Sequence, residues 1–313
     1  MAPPRTRPKE QWSSHSTPNP AGSKVGDARH KGGDLLREPW RDSFDKQADH
    51  YADARPSYPV AWFAKFASLT THHASAWDAG TGNGQAAVSV SFSFFHPLPP
   101  IPAISITTCP LSRGRDGVAQ VAEHYERVVA TDISEAQLAR ATPHPRARYV
   151  HVPASIHEDD LVALLGGEGS IDLVTVSQAV HWFDLPGFYA VVDRVLRKPG
   201  GVIAVWGYRR MRVCPTFDAA LHKFFSTTIP YWETHINYIK EEYRNLPFPF
   251  EGVGVGREGE PASLEMKKEA SFEGLLGVLQ SWSAVNTARE RGAELLGEEA
   301  VAELAAAWAG ASW

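Results

Sequence analysis

At 313 residues the chain is long enough for about two domains of about 150 residues each. Hydrophobic residues at 43% and charged residues at 21% exclude a fibrous chain and one that is unfolded throughout. A net charge of −5 leaves no basic field to draw the chain onto nucleic acid or anionic lipid, so neither is expected as a partner. The two cysteines, Cys109 and Cys214, form no disulfide framework, and the thirteen histidines lack the tight spacing of ligands, so no metal is expected. A reducing, cytoplasmic setting fits this cysteine usage.

Residues 1–42 are rich in Pro, Gly, Ser and Arg and nearly empty of aliphatic side chains. They cannot repay their ordering entropy, and a disordered tail is expected. An organellar transit peptide would share the Arg and Ser content, but Glu10, Asp27, Asp34 and Glu38 weigh against it. The longest apolar stretch, Val88 to Ile106, is broken by His96, Pro97, Pro99, Pro100 and Pro102, so no membrane span is expected. From residue 43 onward short apolar runs alternate with helical patterns. The runs are SAWDAG, RVVATD, RYVHVP, IDLVTVSQA and GVIAVWGY, and segments such as SEAQLARA and PGFYAVVDRVLRKPGG separate them. Buried strands alternating with helices predict an α/β fold with a doubly wound, mostly parallel sheet.

The first strand runs into Asp78-Ala79-Gly80-Thr81-Gly82-Asn83-Gly84. Glycines here permit positive φ and let a ligand approach the backbone. The spacing is G-x-G-x-G with a preceding acid, whereas a dinucleotide turn is G-x-G-x-x-G. Asp78 is therefore free to face a ligand ammonium, which a phosphate-binding turn would not allow. A ribose needs a second carboxylate at the end of the next strand, about 20 residues on. Asp132 ends RVVATD but lies 52 residues beyond Gly80. The surplus sits in a Pro-rich stretch, and removing Val90 to Gln120 leaves a separation of 21 and a continuous amphipathic helix, GQAAVSVAEHYE. Residues 90–120 are accordingly expected to be an atypical insertion, such as translated non-coding sequence, with a substrate lid as the alternative.

The ordered set YADARPSYP, DAGTGNG, VVATD, SQAVHWFD and LRKPGG resembles the class I S-adenosylmethionine-dependent methyltransferases, and among them the trans-aconitate-methyltransferase-like group of plants, fungi and bacteria. The resemblance runs from about Phe44 to Trp308. It implies a Rossmann-like sheet, S-adenosyl-L-methionine as cofactor and a small-molecule methyl acceptor. It further implies that Gly80, Gly82 and Gly84 approach the methionine part, that Asp132 binds the ribose, and that Ile133 and Ala154 flank the adenine. Ser177, Gln178 and Ala179 would lie beside the sulfonium, with His181 and Trp182 facing the acceptor and Tyr51 and Arg55 closing over the site. Residues 208–258, long and aromatic, are expected to cover the substrate. A carboxylate acceptor needs cations or hydroxyl donors, for which Arg55, Arg209, Arg210, Tyr231 and His235 are candidates; a phenol or amine acceptor would ask His181 to act as base. Aromatics of the cover at helical spacing, and Asp172 at the start of the fourth strand, read more readily as core and scaffold. The pattern departs from the family at its end: SLEMKKEAS is the expected sixth strand, but the sequence stops at Trp313 without a seventh. An inactive isoform is thus one alternative function, and a nicotinamide-dependent oxidoreductase, which the glycine spacing disfavours, is another.

Overall fold

The computed structural model describes residues 58–83, 117–207, 211–263 and 271–310. Five parallel strands form one sheet: β1 (Ser75–Ala79), β2 (Arg127–Asp132), β3 (Ala147–His151), β4 (Leu173–Ser177) and β5 (Val202–Trp206). Their order is β3-β2-β1-β4-β5, so the chain reverses its direction of travel across the sheet between β1 and β4. In open α/β sheets a ligand crevice lies at that reversal, outside the carboxyl ends of the strands. Every residue of β1 and β4 is buried, as central strands of a sheet covered on both faces should be. All five strands match the apolar runs read from the sequence.

Helices close both faces. On one side lie α1 (Val60–Ala67) and α2 (Gly117–His124), whose Phe63, Phe66, Val118, Val121 and Ala122 pack against Val128, Ala130 and Leu173. The short α3 (Glu135–Leu138) follows β2, and on the other side lie α4 (Glu158–Leu165) and α5 (Leu185–Val195), whose side chains pack on Val129, Val174 and Val176. Local chemistry sets the ends of these helices. Ser134 accepts a hydrogen bond from the Gln137 N–H at the start of α3, and Asp184 accepts one from the Gly187 N–H at the start of α5. The α4 helix begins with three acids, Glu158, Asp159 and Asp160, and stops at Gly166 with φ +112°.

The last residues of the segment 90–120, expected as an insertion, are helical. Helix α2 already begins at Gly117 and buries Val118 and Gln120. Val118, Val121, Ala122 and Tyr125 fall at i, i+3, i+4 and i+7, one apolar face, so Gly117–Gln120 belong to the helix. The rest of that segment, the 1–42 tail and all but the ends of SLEMKKEAS lie outside the described residues.

Below the amino ends of the strands Asp172, 1% exposed, receives the N–H groups of Ala74 and Ser75 at 2.8 and 2.9 Å on Oδ2 and the Arg197 guanidinium on Oδ1. This clamp ties β1 to β4 far from the crevice, which makes Asp172 scaffold.

After β5 come α6 (Pro215–Thr228), a short turn of 3-10 helix at Ile229–Tyr231, α7 (Ile236–Lys240) and a two-stranded hairpin of β6 (Gly256–Arg257) and β7 (Glu260–Pro261). Then follow α8 (Phe272–Gln280), α9 (Ser283–Glu290) and α10 (Glu298–Ala309). The expected cover divides in two. Phe217, Leu221 and Phe224 of α6 are buried among Leu275, Val278, Leu279 and Leu304 of the later helices, so these residues at helical spacing are core. Tyr238, Tyr243, Leu246, Phe248 and Phe250 instead pack onto the sheet's own cluster.

Candidate functional site

The turn after β1 is fastened to β2 by its own backbone. The N–H groups of Gly80 and Thr81 both donate to the Thr131 carbonyl, at 2.9 and 3.0 Å, and the Gly82 N–H donates to Asp132 Oδ2 at 2.7 Å. Gly80 and Gly82 have φ of +69° and +60°, the left-handed region that costs other residues about 1–2 kcal/mol. The two glycines differ in what surrounds them. A Cβ on Gly80 would stand 2.5 Å from the Ala179 Cβ, whereas one on Gly82 would meet nothing within 4 Å among the described residues. Gly80 is thus required by packing against the end of β4, and Gly82 by its backbone angle beside open space. Gly80→Ala should cost more stability than Gly82→Ala, which should cost about 1–2 kcal/mol; urea unfolding of the two variants checks the order.

Asp78 stands at the carboxyl end of β1, 2% exposed. Its Oδ1 accepts the Thr175 hydroxyl at 2.6 Å, while its Oδ2 is buried with no hydrogen-bond partner among the described residues. The Thr81 hydroxyl lies nearby without closing a bond to it. Burial pushes the carboxyl up to about 6, and Thr175 and Thr81 only partly offset this. An unpartnered buried carboxylate oxygen is expensive, and a cation placed beside it would relieve the cost. Asp132, half-buried, accepts the Ser134 N–H on Oδ1 at 2.9 Å and the Gly82 N–H on Oδ2. Each oxygen keeps a lone pair for a hydroxyl. Burial raises this carboxyl too, against the N–H groups of Ser134 and Gly82. Ile133 and Ala154 follow the ends of β2 and β3, which are adjacent through the Asp132 and His151 pair, and both are buried.

Across the crevice, Ser177 ends β4 with its hydroxyl 2.8 Å from the Tyr58 hydroxyl. Gln178 takes φ +55° and donates its N–H to the Trp206 carbonyl at 2.9 Å. That angle is unfavourable for a residue with a side chain, and such departures collect at functional sites. Ala179 then meets Gly80, and a turn of 3-10 helix, Val180–Trp182, carries His181 and Trp182. His181 is 5% exposed, and its Nδ1 is 3.2 Å from the Tyr243 hydroxyl. Burial, with the nearby His235, holds its imidazole down to about 3, so His181 is neutral at physiological pH. His235 lies edge-on to Trp182, with ring centroids 5.2 Å apart.

A family model described as a methyltransferase domain matches residues 114–205. A protein of Dictyostelium discoideum named as a methyltransferase is 30% identical over 168 residues, 52% of this chain, and the match spans 59% of that relative's length. The structure of a protein of Anaeromyxobacter dehalogenans described as a type II methyltransferase is 31% identical, with a TM-score of 0.57, over 82% of this chain and 90% of that one. The chain belongs to the class I S-adenosylmethionine-dependent methyltransferases.

In this methyltransferase the structure places Asp78, Gly80, Gly82, Asp132, Ser177, Gln178, Ala179, His181 and Trp182 at the carboxyl edge of the sheet. Tyr231 lies in the turn that packs on α9, with the Arg291 guanidinium 5.9 Å above its ring. Tyr51, Arg55, Gly84, Arg209 and Arg210 lie outside the described residues. Sequence reasoning missed three residues that touch this set: Tyr58 on Ser177, Thr175 on Asp78 and Tyr243 on His181. Tyr58 sits near the end of the segment YADARPSYP, where its ring stacks on Trp62 with centroids 5.6 Å apart; Thr175 was legible as a hydroxyl inside an otherwise apolar buried strand. Nothing local marks Tyr243. Among the described residues no group of three or more His, Cys, Asp and Glu side chains could hold a metal, and no helix is long and apolar enough to cross a membrane.

Proposed function

We propose that this chain binds S-adenosyl-L-methionine in the crevice over Gly80 and Gly82 and transfers its methyl group to an oxygen of a small-molecule acceptor, a carboxylate or a hydroxyl. The observation that carries the reading is the buried Oδ2 of Asp78, which has no hydrogen-bond partner among the described residues, at the start of the glycine turn. The donor supplies a methyl group already activated on a positively charged sulfur. The chain's own residues bind, orient and exclude water. Asp78 takes the cationic amino group of the methionine part, Asp132 accepts the ribose hydroxyls, and Ile133 and Ala154 flank the adenine. Ser177, Gln178 and Ala179 hold backbone next to the sulfonium, and the family resemblance assigns Tyr51 and Gly84 to cofactor binding as well.

On the acceptor side His181 and Trp182 face the reacting oxygen, and Arg55, Arg209 and Tyr231 are assigned to substrate binding. A base must be able to take up a proton, and burial of His181 opposes that. A carboxylate needs no such base, and this favours the carboxylate reading, in keeping with the trans-aconitate-like resemblance, over a phenol or amine. Purified protein incubated with methyl-labelled donor and a panel of mono- to tricarboxylic acids and phenols should label a carboxylic acid. A rise in Tm with millimolar donor should accompany it, since a ligand that binds only the folded state stabilises it by mass action. Absence of the Tm rise would favour the inactive alternative; label appearing on phenols alone would remove the carboxylate assignment.

A further inference from the structure

Tyr243 reaches the acceptor side by an unusual route. Two consecutive residues with side chains, Glu242 and Tyr243, take left-handed φ of +56° and +59° just after α7, a region single non-glycine residues rarely enter and pairs still less. The bend is held by the Tyr243 N–H donating to the Tyr238 carbonyl at 2.7 Å. It lays the phenol ring directly over Gly207, immediately beyond β5, where a Cβ would stand 2.6 Å from a ring carbon and 2.7 Å from the hydroxyl. The backbone strain and the bare glycine together place one atom, the Tyr243 hydroxyl, 3.2 Å from His181 Nδ1. A loop that merely needed to close over the sheet would require neither.

Which nitrogen of a neutral histidine carries the proton is set by the hydrogen bond made at the other. A phenol O–H is a better donor than an imidazole N–H, and a bare imidazole nitrogen is a better acceptor than a phenol oxygen. Tyr243 therefore donates to Nδ1. We propose that Tyr243 is a positioning residue that fixes His181 in the Nε2–H tautomer, so that the imidazole offers the acceptor oxygen a hydrogen-bond donor and not a lone pair. The role toward the acceptor rests on the functional reading above; the tautomer itself does not. Among the described residues His235 also lies near this pair, set against Trp182.

The test is the ring-nitrogen spectrum of the full chain labelled with 15N at histidine, with the His181 signals assigned by their loss in His181→Gln. In the wild type at pH 7, Nδ1 should resonate as a bare nitrogen and Nε2 as a protonated one. Tyr243→Phe keeps the ring over Gly207 and removes only the hydroxyl, and it should reduce the tautomer ratio about tenfold, the bias one net hydrogen bond supplies. A protonated Nδ1 in the wild type would overturn the proposal whatever the variant does, and so would a folded Tyr243→Phe protein with an unchanged ratio. Because the free protein is measured, failure to bind donor would refute the functional reading while leaving this result standing.

Discussion

Replacing Asp78 with asparagine should stabilise the free protein at pH 7 by about 2–3 kcal/mol and, in the same variant, remove the rise in Tm that S-adenosyl-L-methionine produces. The stability half follows from linkage. Burial lifts the folded-state carboxyl from 3.8 to about 6, so between those values the folded chain binds the proton more tightly than the unfolded one. Stability therefore falls as pH rises from about 4 to 6, and at pH 7 the ionised side chain carries the full cost, about 1.4 kcal/mol for each pH unit between the unfolded and folded values. Asparagine keeps a carbonyl oxygen for the Thr175 hydroxyl and has no charge to bury. The binding half follows from the orphaned Oδ2, whose partner on this reading is the donor's ammonium. In the wild type that ammonium favours the ionised carboxylate, so binding releases a proton below pH 6, and affinity should be about tenfold weaker at pH 5 than at pH 7. Thermal melts with and without donor, and calorimetric titration at the two pH values, measure both halves. A variant that is no more stable, or that still melts higher with donor, would contradict the role given to Asp78.

Replacing Asp172 with alanine should destabilise the fold by about 3–5 kcal/mol, the range for breaking one side of a buried ion pair, without altering the chemistry at the crevice. Three donors converge on this carboxylate, the Arg197 guanidinium and the N–H groups of Ala74 and Ser75, and alanine leaves all three unanswered. Burial alone would raise the carboxyl, but Arg197 and the two N–H groups together hold it below its ordinary value. A depressed carboxyl contributes stability that is fully present above its unfolded value, near 3.9, and is lost as pH falls through the folded one. The variant should therefore show a lower urea midpoint at pH 7 and a smaller further loss toward pH 3 than the wild type. Because the clamp sits at the amino ends of the strands, whatever fraction of Asp172→Ala folds should bind donor as tightly as the wild type.

The two aspartates show how differently sequence and structure speak. The place of Asp78 was legible because its signal is local: it precedes glycines whose spacing differs from that of a dinucleotide turn and whose φ is positive. Asp132 was legible as the acid that ends the apolar run RVVATD, which forms β2. Asp172 could be read only as a strand start, because its partners Ala74 and Ser75 lie 98 and 97 residues away.

What the sequence by itself determined was the five strands, their parallel direction and the glycine turn that follows Asp78. Each depends on side-chain period, β-branching or backbone angle within a few residues. What only the tertiary structure decided was which hydroxyls meet Ser177 and His181: Tyr58 on Ser177 across 119 residues and Tyr243 on His181 across 62. It also decided that Gly80 is bare for the sake of Ala179 while Gly82 is bare beside open space. These pairings arise when the sheet closes and the segment after β5 folds back over it. No periodicity in one stretch of chain encodes where another stretch will land.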